Sequence, residues 1–399
     1  MSMVITIYNK RTKYFLVILF VLLSLMAWFD VSSSGQAGLK NANRGMAHIF
    51  IALVVVLHGI YIFFHNYNSK NSFSIKLLLL SIIIWFVLVD LINLVTLGEA
   101  GALLLLAIWW FLTYQFTYSF CRRNQGHIKG LMKVYMGMFV VWALLNVYAR
   151  QQIMINFGQA NAVTGYAYYL LIFVPFILLL KKSKIKTGLL ILSIIMIMTS
   201  FKRGTMVTLP VMLIVYGYVK GLLANDLSKF YKYFGILLFL AILLIPIIDE
   251  SSGGFLSQRF SQEQLEDGSG RSGNWELAIN NIEQRSEFEL FVGLGHGSSV
   301  KLLGTGVHNE WLEFLFSFGI IGFLLYLVLG LKFMRQAYTA FKLRSKYAPH
   351  ICMMMVYFYM ISIFSGFIGV YVTYYFFAFM GIVTYLIEED INQRKLELV

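Results

Sequence analysis

The sequence predicts an all-α, polytopic membrane protein with about twelve transmembrane helices. Of its residues, 59% are hydrophobic and only 13% charged. Apolar runs long enough for a helix to cross a bilayer core of about 30 Å recur from end to end. One long polar stretch, residues 249–307, interrupts them. The chain therefore reads as a single integral membrane domain over residues 1–399, with 249–307 as a loop within it. It has no internal repeat, low-complexity tract or Gly/Ser linker, and Pro175, Pro210, Pro246 and Pro349 are its only prolines.

The expected spans lie near residues 14–29, 46–64, 73–95, 100–121, 131–149, 162–180, 185–201, 204–219, 233–248, 309–331, 351–366 and 368–387. The first follows Lys10, Arg11 and Lys13 like a signal sequence, but WFDVSSSG behind it is a poor small-x-small cleavage site, so an uncleaved span is expected. The third carries Asp90, an ionisable group that is costly in lipid unless partnered, and a structural role is expected for it. Trp85, Trp109, Trp110 and the tyrosines near span ends read as an aromatic belt. The spans 185–201 and 204–219 are short and separated only by SFKRG. Cys121 and Cys352 fall at inner helix ends with no zinc-type spacing, so neither a disulfide nor a metal site is expected from them.

A net charge of +13 would suit a nucleic-acid partner, but the placement of the charges excludes one. With both termini cytoplasmic, 23 of the 32 Lys and Arg lie on the inner side. Lys181, Lys182, Lys184 and Lys186 mark one inner turn, and Lys332, Arg335, Lys342, Arg344 and Lys346 mark another. This is the positive-inside asymmetry. Alternation then places the 249–307 loop outside the cytoplasm, where 11 of the 19 acidic residues also lie when its edge is extended to Glu313.

Within that loop, a Gly- and Ser-rich turn, DGSGRSGN, precedes Trp275, Ala278, Ile279 and Ile282 at helical spacing, while Glu276, Asn280 and Glu283 point elsewhere. A short amphipathic helix on the membrane face is expected. Arg271 opens it, where unpaired backbone N–H groups and the helix dipole favour an anion. The segment GLGHGSS, which carries His296, could leave backbone amides free for phosphate or sugar oxygens, although such turns are more often merely flexible. His308 and Asn309 close the loop, and Asn309 is suited to cap the next helix.

The pattern H-N-x9-G-x-x-G, read as His308, Asn309, Gly319 and Gly322, resembles the signature of the O-antigen ligase and polymerase superfamily of bacterial cell-envelope enzymes. Three further features match: Arg271 four residues before Trp275, the glycine turn Gly293, Gly295 and Gly297, and the earlier turn Lys202, Arg203 and Gly204. The resemblance implies a metal-independent, GT-C-like membrane glycosyltransferase of the bacterial inner membrane, without cofactor. Its implied partners are undecaprenyl-diphosphate-linked oligosaccharides, membrane lipids and a chain-length regulator protein.

The residues fit that implication chemically. Transfer of a saccharide from a lipid diphosphate develops negative charge on the leaving group, which calls for fixed cations at the outer surface. Arg271, Arg203 and Lys202 are the candidates, and arginine forks phosphate in a way lysine cannot. His308 is the candidate base for the acceptor hydroxyl, with Glu310 as the alternative. Trp275, His296, Asn309 and Glu310 are expected at the substrate. The pair Glu287 and Glu289 is a poor metal site, so arginines in place of a metal are the simpler expectation. An O-antigen polymerase is the favoured reading, ahead of a ligase acting on lipid A core. A lipid-linked sugar flippase is disfavoured because the chain shows one dominant asymmetric outer loop and little buried charge rather than paired repeats and several midplane ionisable groups.

Overall fold

A computed structural model describes residues 2–33, 42–67, 69–157, 163, 165–181, 183–261, 271–365 and 372–397. The first part of the Gly/Ser turn, 267–270, and the opening residues of the expected spans 162–180 and 368–387 lie outside the described residues. Among the described residues the fold is all-helical, without strands.

In chain order the α-helices are α1 (Ser2–Ser33), α2 (Ala42–Phe64), α3 (Lys70–Ile92), α4 (Leu97–Arg123), α5 (Ile128–Phe157), α6 (Ala167–Leu179), α7 (Lys184–Met198), α8 (Arg203–Ala224), α9 (Ser228–Ser251), α10 (Phe255–Arg259), α11 (Arg271–Glu283), α12 (Glu287–Val292), α13 (Ser298–Leu303), α14 (Glu310–Lys342), α15 (Ala348–Phe364) and α16 (Val372–Glu397).

A helix lies at each expected span. Among the described residues, seven are long and apolar enough to cross a membrane: α1 to α5, α8 and α14. Length explains why α6 and α15 are set apart. Their 13 and 17 residues span only about 20 and 26 Å at 1.5 Å per residue, short of a full bilayer core. Apolar side chains such as Val17, Leu53, Leu77, Ile155 and Leu324 are exposed on the long helices, as lipid-facing surface requires. This is a membrane protein.

The chain forms two compact units. The first comprises residues 1–72, 112–202 and 374–385. In it α1 packs along α2 and α5, α5 along α6, and α6 along α7. Helix α6 is apolar on every side and buried from Ala167 to Leu178, as a helix without a polar stripe must be. Trp142 stacks on Tyr169 at 3.9 Å and donates its Nε1–H to the Tyr375 hydroxyl at 2.9 Å.

The second unit comprises residues 73–111, 203–373 and 386–399. Helix α8 runs along α15, α14 packs on α15, and the short loop helices α11, α12 and α13 lie against α14. Two tryptophans expected at the lipid interface belong to this interior. Trp109 and Trp110 are buried, and Trp110 donates to Thr373 Oγ1 at 2.9 Å. For Trp110 the Thr373 hydroxyl satisfies the indole N–H that a place at the headgroups would otherwise serve. Cys121 and Cys352 are free thiols.

Candidate active site

Three arginines meet at one end of the second unit because of how α8 and α15 pair. At one end Arg344, just before α15, donates to Leu223 O at 2.8 Å and Asn225 Oδ1 at 3.0 Å, at the close of α8. Tyr216 of α8 meets His350 of α15 there as well, with ring centroids 5.1 Å apart. The two helices are therefore antiparallel, and the first residue of α8 lies at the same end as the last residue of α15. Arg203 is that first residue, and its Nη1 donates to Arg259 O at 3.1 Å. Arg271, first in α11, donates Nη1–H to the carbonyl of Phe364, the last residue of α15, where the negative end of a helix dipole favours a cation. Burial, and then the charges of Arg203 and Arg271, hold the Arg259 pKa below the usual arginine range. The guanidinium groups of Arg203 and Arg271 thus both act on that of Arg259.

One helical turn beyond Arg271, Trp275 donates its Nε1–H to Val307 O at 3.0 Å. Trp275 and Ile282 pack on a core of Ala278, Val307 and Phe316. The apolar stripe of α11 therefore faces α13 and α14 rather than a membrane surface, and Ile279 is exposed on another side. The expected amphipathic helix exists, but protein covers its apolar face because Val307, Phe316, Leu303 and Leu312 supply apolar partners. The indole of Trp275 acts as a brace that fixes the neighbour of His308.

His308 is exposed and adopts φ +55°, in the left-handed region that few non-glycine residues enter, histidine more readily than most. Its turn is held on both sides. Val307 is held by Trp275 through its carbonyl and by Glu313 Oε2 through its N–H, the latter at 3.4 Å. Asn309 caps α14, its side chain accepting from Leu312 N at 3.2 Å, as expected. Glu313 also accepts from Ser299 and Ser317 hydroxyls, each at 2.8 Å. Glu310 is only 1% exposed and lies within electrostatic reach of Tyr326, so it points into the protein while His308 faces out.

The glycine-rich turn has a different task from presenting amides to an anion. Three of its N–H groups are taken by the fold: Gly293 donates to Glu289 O, Gly295 to Ser317 O and His296 to Asp90 Oδ1, at 2.8, 2.8 and 2.9 Å. His296, expected at the substrate, is buried between Phe86 and Phe318, with Nδ1 2.5 Å from Asp90 Oδ2. Asp90 thereby finds the partner its burial demands. Asn93 adds a bond to Gly293 O at 3.1 Å. The end of α3, the glycine turn and α14 form one junction.

That junction explains Gly319. Helix α14 breaks there, with φ +63° and ψ −170°, and its backbone lies against the backbone of Gly293. A Cβ on either glycine would collide with main-chain atoms of the other's segment. The break frees the Phe318 carbonyl, which accepts from Trp85 Nε1 at 2.9 Å. Trp85, expected in the aromatic belt, is therefore a cap for the broken helix, and Gly322 leaves room for its ring.

Lys202 belongs to the first unit, where its Nζ lies 5.8 Å from the Tyr168 ring centroid. The Glu289 carboxylate is engaged in a capping box with Ser286, whose hydrogen bonds hold its pKa below the usual value. Arg285 is also fixed, over the Phe316 ring at 3.9 Å and bonded to Phe316 O at 2.7 Å. Burial lowers its pKa to about 10. Sequence reasoning did not single out Arg259, Arg285 or Glu313. Arg259 carried one signal, being among the few basic residues on the outer side.

Residues 188–327 match the family model described as O-antigen ligase. The matched stretch holds Lys202, Arg203, Arg259, Arg271, Trp275, His296, His308, Asn309, Glu310, Gly319 and Gly322. A search of curated proteins gives no match. Over this stretch the chain is similar to the O-antigen ligase family, a match that supports the resemblance to the O-antigen ligase and polymerase superfamily.

Proposed function

We propose that this protein is a polymerase of O-antigen or a related surface polysaccharide, transferring a growing glycan from undecaprenyl diphosphate to a lipid-linked repeat unit. The reaction takes place at the periplasmic face of the inner membrane, with both termini cytoplasmic, in keeping with the Lys and Arg distribution. The supporting observation is the gathering of Arg203 and Arg271 at the ends of α8 and α11, in the same unit as the constrained, exposed His308.

The chemistry follows from these groups. The bond between the sugar anomeric carbon and the diphosphate oxygen breaks, and its electron pair leaves on the diphosphate. Arg271 and Arg203 receive that charge as bidentate donors, lowering the barrier because the leaving group carries more charge in the transition state than in the bound donor. The acceptor hydroxyl attacks from the opposite face, forming the new glycosidic bond with inversion, and the His308 imidazole takes its proton. His308 suits this role better than Glu310, since its side chain faces out while the carboxyl is buried. Trp275, Asn309 and Glu313 hold the His308 turn, and no metal is required by the scheme.

A ligase uses the same donor and differs only in acceptor. The description of the matched family favours this second reading. The two are separated by expressing the gene in polymerase-deficient and ligase-deficient cells that make a matched repeat unit. Ladders restored from single-repeat caps are the expected result. Attachment of previously stranded lipid-linked polymer, without ladder extension in the first background, establishes the ligase and overturns the polymerase.

A further inference from the structure

Arg259 has no part in the reaction above, yet its setting is that of a binding group. It closes the short helix α10, and its backbone oxygen receives Arg203, so the two residues are tied together. Its side-chain Nε is buried and has no hydrogen-bond partner among the described residues. A buried donor without a partner is unfavourable, and most such groups in folded proteins are satisfied. Like charges drawn together and partly removed from water are unfavourable as well, which is the cause of the lowered Arg259 pKa. One anion placed among the three guanidinium groups removes both penalties, supplying acceptors to the orphaned donor and turning repulsion into shared attraction. A diphosphate offers two adjacent phosphoryl groups, more acceptor oxygens than a monophosphate can present to three planar forks.

We propose that Arg259 is a third phosphate-binding residue of this site, donating to the lipid diphosphate beside Arg203 and Arg271 and selecting a diphosphate over a monophosphate carrier. This rests on the lipid-diphosphate donor proposed above. The distal contact matters most where the monophosphate has nothing to offer, so loss of Arg259 reduces selectivity as well as affinity.

The test uses the purified full chain in lipid nanodiscs, with tryptophan fluorescence reporting binding of undecaprenyl diphosphate and, separately, undecaprenyl monophosphate. The wild type binds the diphosphate more tightly. Arg259→Gln weakens diphosphate binding by about tenfold or more, as loss of a charge-assisted hydrogen bond does. It changes monophosphate binding little and leaves the thermal unfolding midpoint unmoved. Wild-type affinity for the diphosphate in R259Q, alongside lost affinity in Arg271→Ala, overturns the role of Arg259 and leaves the donor reading standing. Absence of diphosphate binding by the wild type overturns both. Should R259Q fail to accumulate, Arg259→Lys decides in the same assay: reduced selectivity supports the contact and unchanged selectivity overturns it, because a point charge does not reproduce the planar fork.

Discussion

Arg271→Ala is expected to stop polymer formation while the protein remains inserted in the membrane at normal abundance. Two interactions are lost. The bond to the Phe364 carbonyl is one hydrogen bond from a charged donor at the end of α15, worth about 1.5–3 kcal/mol, less than the stability of about 5–15 kcal/mol typical of folded proteins. The contact to the departing diphosphate is made where charge develops, and removal of such a donor typically slows turnover by about 10²- to 10³-fold. Function should therefore fall far more than stability. Arg271→Lys should recover little of the activity, since an ammonium supplies charge without the two parallel donors. Glycan ladders on gels, read beside immunoblots of the membrane fraction, check both outcomes. A normal ladder from a stable R271A protein removes the clamp from the mechanism.

Gly319→Ala should be a severely damaging change despite its small size. The new Cβ would collide with the Phe291 carbonyl and lie 2.7 Å from Gly293 N, so backbone must move rather than a flexible side chain. The φ of +63° with ψ near 180° adds strain of its own. If the segments separate, Gly295 loses Ser317 O and Phe318 O loses Trp85. A loss of about 3 kcal/mol or more is expected, seen as a lower unfolding midpoint of the purified protein and loss of polymer in cells. Gly273→Ala is the control. Gly273 lies in α11 with open space where its Cβ would stand, and alanine there should leave stability unchanged or raise it by up to about 1 kcal/mol. Equal stability of G319A and G273A would contradict the backbone contact.

The contrast between these two glycines shows what could be read from the sequence. Helical spacing located α11 with Arg271 at its start, and the Asn309 cap followed from the residue type beside a long apolar run. Those are local properties, fixed by periodicity and by the unpaired N–H groups of a helix start. The supports of the site are pairings across long stretches of chain, and no local pattern encodes them. Asp90 meets His296 from 206 residues away, and Trp85 reaches Phe318 O from 233. The glycine turn was open to two readings because its amides could serve a ligand or the fold. Only the positions of α3 and α14 decide that they serve the fold. Arg259 went unnoticed for a similar reason, since its setting depends on α8 and α11 converging on α10. Even the aromatic residues divide by context. Trp110 and Trp85 found hydrogen-bond partners inside the protein and Trp109 is buried, although their sequence neighbourhoods resemble an interface belt.

The glycines of the superfamily pattern acquire a physical reason in the same way. Gly293 and Gly319 allow two main chains to touch, Gly322 admits the Trp85 ring, and the result is a rigid platform from which Asn309 starts its helix. His308 stands at the edge of that platform in a left-handed conformation, held by Trp275 and Glu313 through Val307. The arginines arrive from three separate helices at one end of the α8 and α15 pair. Positioning and charge are thus supplied by different parts of the second unit, which is why single substitutions in each should fail in distinguishable ways.

The most direct test of the central claim is an electron cryo-microscopy structure of the protein in nanodiscs with undecaprenyl diphosphate bound. The account predicts the diphosphate oxygens within about 4 Å of the Arg203 and Arg271 guanidinium groups, with the His308 imidazole on the side from which an acceptor sugar would approach. Diphosphate density bound elsewhere, beyond the reach of both arginines, would contradict it.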